Sequence, residues 1–263
     1  MEEQRHRSMT PLRAAMWTMG LWLLENVCVQ ITEGARPGAI ADVVNLAICQ
    51  VLATSIAVFA IVRVHAPEAS LRMELGLRPV GPVRLVLSAV AGAGLYPAIS
   101  TINDAVVRRW PYAASDSDAV ERLLSLPSQS ARIALVVAAF VLMPLTRELF
   151  FRGVLFTELR RAVSEPLAVV ASALCFAGAS LDWRTMPTSL LLGLALVRIR
   201  VAARSVLASI AAHVAFWAVE GIPILRGRSP TADVAYSLRS IVGGAAVATL
   251  AFVLLGVAPK ARE

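Results

Sequence analysis

ARIALVVAAFVLMPLTRELFFRG, residues 131–153, decides how this chain is read. From Ile133 to Leu145 it carries no charge, and it is apolar enough for a membrane interior. Then Arg147, Glu148 and Arg152 follow within two helical turns. Charge at bilayer depth costs at least a few kcal/mol, so ionisable groups there mark either a functional site or a structural brace. On a helix, Glu148 and Arg152 are four apart and share a face, with the acid N-terminal, the better order. They can neutralise one another. Arg147 lies about 100° around the helix from Glu148 and needs a partner of its own: Glu25, a backbone carbonyl or a wet cavity.

Composition supports the membrane setting. The chain has 263 residues, 57% hydrophobic and 16% charged, with mean hydropathy +0.69. A soluble domain is nearer half apolar and a quarter charged. The formal charge of +7 is carried by arginines scattered over successive loops. That pattern is a topology signal and argues against a nucleic-acid partner, which would gather them on one face. Lys260 is the sole lysine. Cys28, Cys49 and Cys175 lie inside apolar runs without CxxC spacing, and read as small buried residues. The charged start, MEEQRHRSMTPLR, leads into a run that holds Glu25 and has no small-residue cleavage site, so a retained first span is expected.

The pattern predicts an all-α polytopic membrane bundle of about eight transmembrane helices, near 20 residues each. The first two cover Arg13–Ile31 and Ala39–Val64. A connector, HAPEASLRMELGLRP, has the pattern of a short interfacial helix. The third span, PVRLVLSAVAGAGLYPAISTI, carries AGAG for close helix packing and Pro97 as a kink. The longest connector contains Trp110, Pro111 and Tyr112, suited to a membrane interface. Span four starts at Arg132 and runs on to Arg160. Short spans five to seven, PLAVVASALCFAGASL, MPTSLLLGLALVRI and SVLASIAAHVAFWAV, must form a tight antiparallel cluster, and SIVGGAAVATLAFVLLGV closes the set. We expect one integral membrane domain: N-terminal helices over 1–130, a core over 131–222, and a loop with a last helix over 223–263. More arginines fall in the tails and even-numbered loops than in the odd ones, which places both termini in the cytoplasm, with a bacterial plasma membrane as the expected location.

Other ionisable groups at membrane depth are Glu25, His213 and Glu220. Trp217 and Glu220 fall on nearly the same helical face as His213. Only His6, His65 and His213 occur, and there is no HExxH, so no closed zinc site is expected from residue types.

TRELFFRGVLFTELRR, then LCFAGAS, then LLLGLALVRIRVAARSVLASIAAHVAFW, resembles the core of the CPBP family of intramembrane proteases, the CaaX-protease and bacteriocin-processing group also called Abi. The resemblance covers Val136 to Glu220. It implies a motif of two glutamates, three residues and an arginine at Arg147, Glu148 and Arg152. The family's first glutamate activates a water, and here that position is Arg147. It implies a Phe-x3-His motif at Phe176, with Ser180 in the histidine position. It also implies His-x3-Asn/Asp at His213, with Trp217 in the last position. Arginine stays protonated and cannot act as a base. Serine cannot replace an imidazole as ligand or proton carrier, and Trp217 offers one N–H donor where an amide would stabilise an oxyanion.

The resemblance therefore implies a degenerate member that keeps Glu148, Arg152 and His213 and lacks peptidase activity. Arg147, Phe176, Ser180 and Trp217 would line a cavity that binds a membrane peptide or a partner protein. Two alternatives stay open. One is a working protease using Glu148 as base, His213 as acid or metal ligand and Ser180 as hydrogen-bond donor; only that reading calls for zinc or another divalent metal. The other is a small transporter with Glu25, Arg147, Glu148 and His213 as a polar pathway, although no repeated halves are visible.

Overall fold

The computed structural model describes residues 8–112, 128–226 and 236–257; residues 113–127 of the longest connector, the 227–235 loop and Lys260 lie outside this range. Among the described residues the regular structure is helical throughout. The helices are α1 (Pro11–Ala35), α2 (Val43–His65), the short α3 (Leu71–Glu74), α4 (Pro82–Arg109), α5 (Gln129–Ala162), α6 (Glu165–Gly178), α7 (Met186–Ala203), α8 (Val206–Leu225) and α9 (Leu238–Val257). The expected interfacial helix is α3.

Helix starts follow local chemistry. Proline stands in the first turn of α1, α4, α6 and α7, where its missing N–H is no loss. Side chains of Thr10, Asp42, Ser128 and Ser205 cap α1, α2, α5 and α8. Asp42 accepts from the Val44 and Asn45 amides and pairs with Arg36 at 2.6 Å. The Arg36 guanidinium, helped by those amides, holds the Asp42 carboxyl below the usual aspartate range.

Among the described residues, six helices are long and apolar enough to cross a membrane: α2, α4, α5, α7, α8 and α9. Of the eight expected spans, α1 is present and long but less apolar, broken by Glu25, Asn26 and Gln30, and α6 has 14 residues. The long helices alternate in direction. The Trp17 indole of α1 donates to His65 at the end of α2 at 3.0 Å, so the start of one lies beside the finish of the other. At the opposite end Tyr112 donates to Asp182 at 2.6 Å, and Trp110 packs edge-on against Trp183 at 5.2 Å. Burial, with the Asp182 carboxylate, pushes the Tyr112 phenol up to about 12, so it remains a donor at neutral pH. These contacts gather the Trp-Pro-Tyr stretch with the Asp182 segment at one end of the bundle.

The AGAG stretch does what its small residues suggest. A Cβ on Gly92 would collide with the Ala212 carbonyl of α8, and Gly94 faces Gly244 of α9 at similarly close range. Glycine here lets backbones touch. Span four departs from a regular helix. Its hydrogen bonding is π-type over Ala138–Leu142 and again over Leu149–Leu155, with the Met143 amide reaching back to Ala138 and the Phe156 amide to Phe151. Pro144 explains the first wide turn: it lacks an N–H, and its ring needs room near the carbonyl four residues back. Gln50 of α2 meets this irregular stretch, donating to the Met143 carbonyl at 2.9 Å and to Thr146 at 2.5 Å.

Candidate functional site

The centre of the bundle holds three groups from two helices. Glu148 and Arg152 come from α5, and His213 comes from α8, two turns in from Val206, roughly 10 Å along the axis. Glu148 and Arg152 are fully buried, and His213 is 2% exposed. His213 Nδ1–H donates to Glu148 Oε1 at 2.9 Å. Arg152 Nη1 stands 3.0 Å from that same oxygen, a charge contact without the alignment of a hydrogen bond. One carboxylate oxygen thus serves both partners. Glu148 Oε2 has no partner at full hydrogen-bond geometry, nor does Arg152 Nε.

The second π turn of α5 contains Arg152 and aims it across the bundle. Its Nη2 donates to the Gly193 carbonyl of α7 at 3.1 Å, and its guanidinium lies 4.1 Å from the Phe176 ring centre. Phe176 also meets the His213 ring edge-on at 5.8 Å and Phe151 at 5.4 Å. Phe176 is therefore the apolar floor shared by cation and imidazole. Two further bonds hold the α5 backbone here: Ser172 donates to the Phe151 carbonyl at 3.0 Å, and Arg200 Nε to the Arg152 carbonyl at 3.3 Å. The Gly193 carbonyl, Gln50, Ser172 and Arg200 were not singled out in the sequence. Backbone acceptors leave no residue-type signal, and the donors are ordinary polar residues whose targets are distant in sequence.

The other candidate positions divide. Arg147 is half-buried; its charge acts on Glu25 of α1 and also reaches His213 and Arg152. Among the described residues no ion pair joins Arg147 to Glu25; the two act on one another through their charges alone. Phe176 joins the cluster, but Ser180 does not. It lies exposed past the end of α6, its hydroxyl 3.1 Å from that of Thr185. Trp217 is one turn beyond His213, stacked on Phe140 at 5.8 Å and set edge-on to Phe216. Glu220, grouped with His213 by helical phase, instead accepts a hydrogen bond from Tyr96 of α4 at 2.9 Å. Of the Glu25, Arg147, Glu148 and His213 set, Glu148 and His213 are in direct hydrogen-bond contact.

The donor set does not fit a catalytic zinc, which takes three protein ligands plus an open position. Among the described residues no group of three or more His, Cys, Asp or Glu converges. The two candidate ligands here, Glu148 and His213, face one another, and Arg152 adds a positive charge against the same carboxylate.

Residues 129–219 match the family described as type II CAAX prenyl endopeptidase Rce1-like, about a third of the chain. That stretch runs from the first residue of α5 into α8 and includes every group of the buried cluster. No curated protein and no solved structure gives a significant match.

Proposed function

We propose, from the premise that residues 129–219 are a CPBP-family core of the CAAX prenyl endopeptidase type, that this membrane protein keeps the family scaffold and has lost its peptidase chemistry. One observation carries the reading. Arg147 stands where the family places its water-activating glutamate, while the remaining acid, Glu148, is closed off between His213 and Arg152 in a fully buried setting. A general base must reach a water and a substrate proton. Glu148 Oε1 is already engaged twice, and Arg147 cannot accept a proton. Ser180, in the position of the family histidine, is bonded to Thr185 at the bundle end.

The retained core then serves to hold a membrane peptide or partner protein, in a bacterial plasma membrane with both termini cytoplasmic. The decisive test is cleavage by the purified protein in lipid. Prenylated CaaX peptides and transmembrane peptides should survive intact with the natural chain. Restoring Arg147→Glu, Ser180→His and Trp217→Asn together should raise cleavage above that background. Cleavage by the natural chain that disappears in Glu148→Gln would overturn the proposal. The binding role is checked separately with a photo-crosslinker at exposed Ser180: a peptide adduct supports it, and adducts to lipid alone count against it.

A second reading rests on the Glu148–His213 bond itself. A carboxylate that accepts the Nδ1–H hydrogen bond fixes the tautomer that leaves His213 Nε2 as an acceptor, and Glu148 Oε2 beside it has no partner at full hydrogen-bond geometry. This pair could activate a water without Arg147. Peptide cleavage lost in both His213→Ala and Glu148→Gln, and retained in Ser180→Ala, would favour it.

A further inference from the structure

A cavity of about 630 Å³ opens at the end of the bundle where α3, the end of α5 and the end of α7 meet. Five arginines line it: Arg78, Arg160, Arg161, Arg200 and Arg204. They come from the segment after α3, the last turn of α5 and the end of α7, stretches distant in sequence, so convergence is a product of the fold. Carboxylates account for two of them. Arg160 pairs with Glu165 at 2.9 Å; Arg161 grips the buried Glu74 with two bonds, 2.6 and 2.8 Å, and also touches Glu158. Five guanidinium groups thus face three carboxylates, an excess of two positive charges. Among the described residues no ion pair reaches Arg78, Arg200 or Arg204.

Arg200 is the telling member. It is only 8% exposed, and its one hydrogen bond goes to the Arg152 carbonyl from Nε. The charges of Arg78 and Arg160 act on it, so like charges are held together around a nearly buried cation. Gly76 has φ +63, a conformation that favours glycine, and its backbone lies so close to the Arg200 guanidinium that a Cβ there would make the guanidinium shift. Arg204 ends α7 with φ +56, an uncommon conformation for a residue with a side chain. The Thr157 hydroxyl, also in the lining, is buried and has no hydrogen-bond partner. Scattered arginines that only set topology need not converge on one cavity beside an unpaired hydroxyl. Clustered cations with vacant donors at a membrane edge match an anion with several acceptor oxygens.

We propose that this cavity binds a phosphoryl anion, the group common to anionic phospholipid headgroups and free phosphate. Arg78, Arg200 and Arg204 supply the uncompensated charge, and Thr157 supplies a neutral hydrogen bond. The site is separate from the Glu148–His213 cluster, to which the Arg200 bond to the Arg152 carbonyl connects it. It does not depend on whether the core cleaves peptides.

The test is thermal unfolding of the full chain in nanodiscs of phosphatidylcholine, with and without phosphatidylglycerol, and separately in phosphatidylcholine with added inorganic phosphate. The natural chain should melt several degrees higher in the anionic lipid, with inorganic phosphate, or with both; the arm that shifts identifies the source. The double substitution Arg78→Gln with Arg204→Gln, both exposed in the natural chain, should remove most of the shift while the melting point in phosphatidylcholine alone stays near that of the natural chain. Thr157→Val should reduce the shift in the same direction. No shift in either arm overturns the proposal. So does a shift that the double variant and Thr157→Val both retain in full.

Discussion

At the scale of single residues, the Glu148–Arg152 contact is a brace whose removal should be asymmetric. Arg152→Met leaves a buried carboxylate without its cation, and removing one partner of a buried pair costs about 3–5 kcal/mol. Replacing both, Glu148→Met with Arg152→Met, should cost clearly less, because no charge is then stranded. Detergent-solubilised protein unfolded by heat gives the comparison: the single variant should melt lowest. A double variant that melts lower than Arg152→Met would contradict the brace. His213→Phe should be milder than Arg152→Met, since the ring keeps its packing on Phe176 and loses one hydrogen bond. The pairing of Glu148 with Arg152 was legible because i,i+4 spacing fixes it within one helix. The meeting with His213 came from family resemblance, not spacing, since 65 residues separate them. Helical phase places Glu220 near the face of His213 but does not name its partner: α8 meets α5 at His213 and α4 at Glu220.

At the scale of elements, the close crossing of α4 and α8 controls the site from behind, because Gly92 abuts Ala212, the neighbour of His213. Gly92→Ala should therefore destabilise by about 1–3 kcal/mol, as overpacking does, and should also weaken any property that depends on His213. Gly20 in α1 is the control: nothing lies within 4 Å of its would-be Cβ. Gly20→Ala should be neutral or stabilising by up to about 1 kcal/mol through helix propensity. Equal melting points for the two variants would remove the argument. Most of the helices were legible from hydropathy, proline and capping residues. The π turns of α5 were not. Proline at 144 signals an irregularity, but it does not reveal whether the helix kinks, breaks or widens. That depends on donors such as Gln50, 93 residues away, reaching the irregular stretch. Ser180 shows a similar limit: α6 ends at Gly178, so the family's histidine position falls just beyond the helix and outside the cluster.

At the scale of the whole molecule, helix alternation decides which groups share a membrane face. The starts of α1, α4, α6 and α8 lie with the ends of α2, α5 and α7, and α9 returns to the same end as α1 begins. Arg78, Arg160, Arg161, Arg200 and Arg204 gather there, whereas Tyr112, Asp182, Trp183 and Arg184 gather at the other end. Positive charge in connectors favours the cytoplasmic side. The arginine-lined end, together with both chain termini, is therefore expected to face the cytoplasm. A background with Cys28, Cys49 and Cys175 changed to Ala allows this to be read with a membrane-impermeant thiol reagent. Ser70→Cys, on the exposed connector before α3, should label only after the membrane is opened. Ser180→Cys, exposed at the opposite end, should label in intact cells. Labelling of both from the same side would break the alternation on which the shared arginine end depends. Labelling of Ser70→Cys alone in intact cells would keep the fold and invert it in the membrane, placing the anion cavity on the outer face.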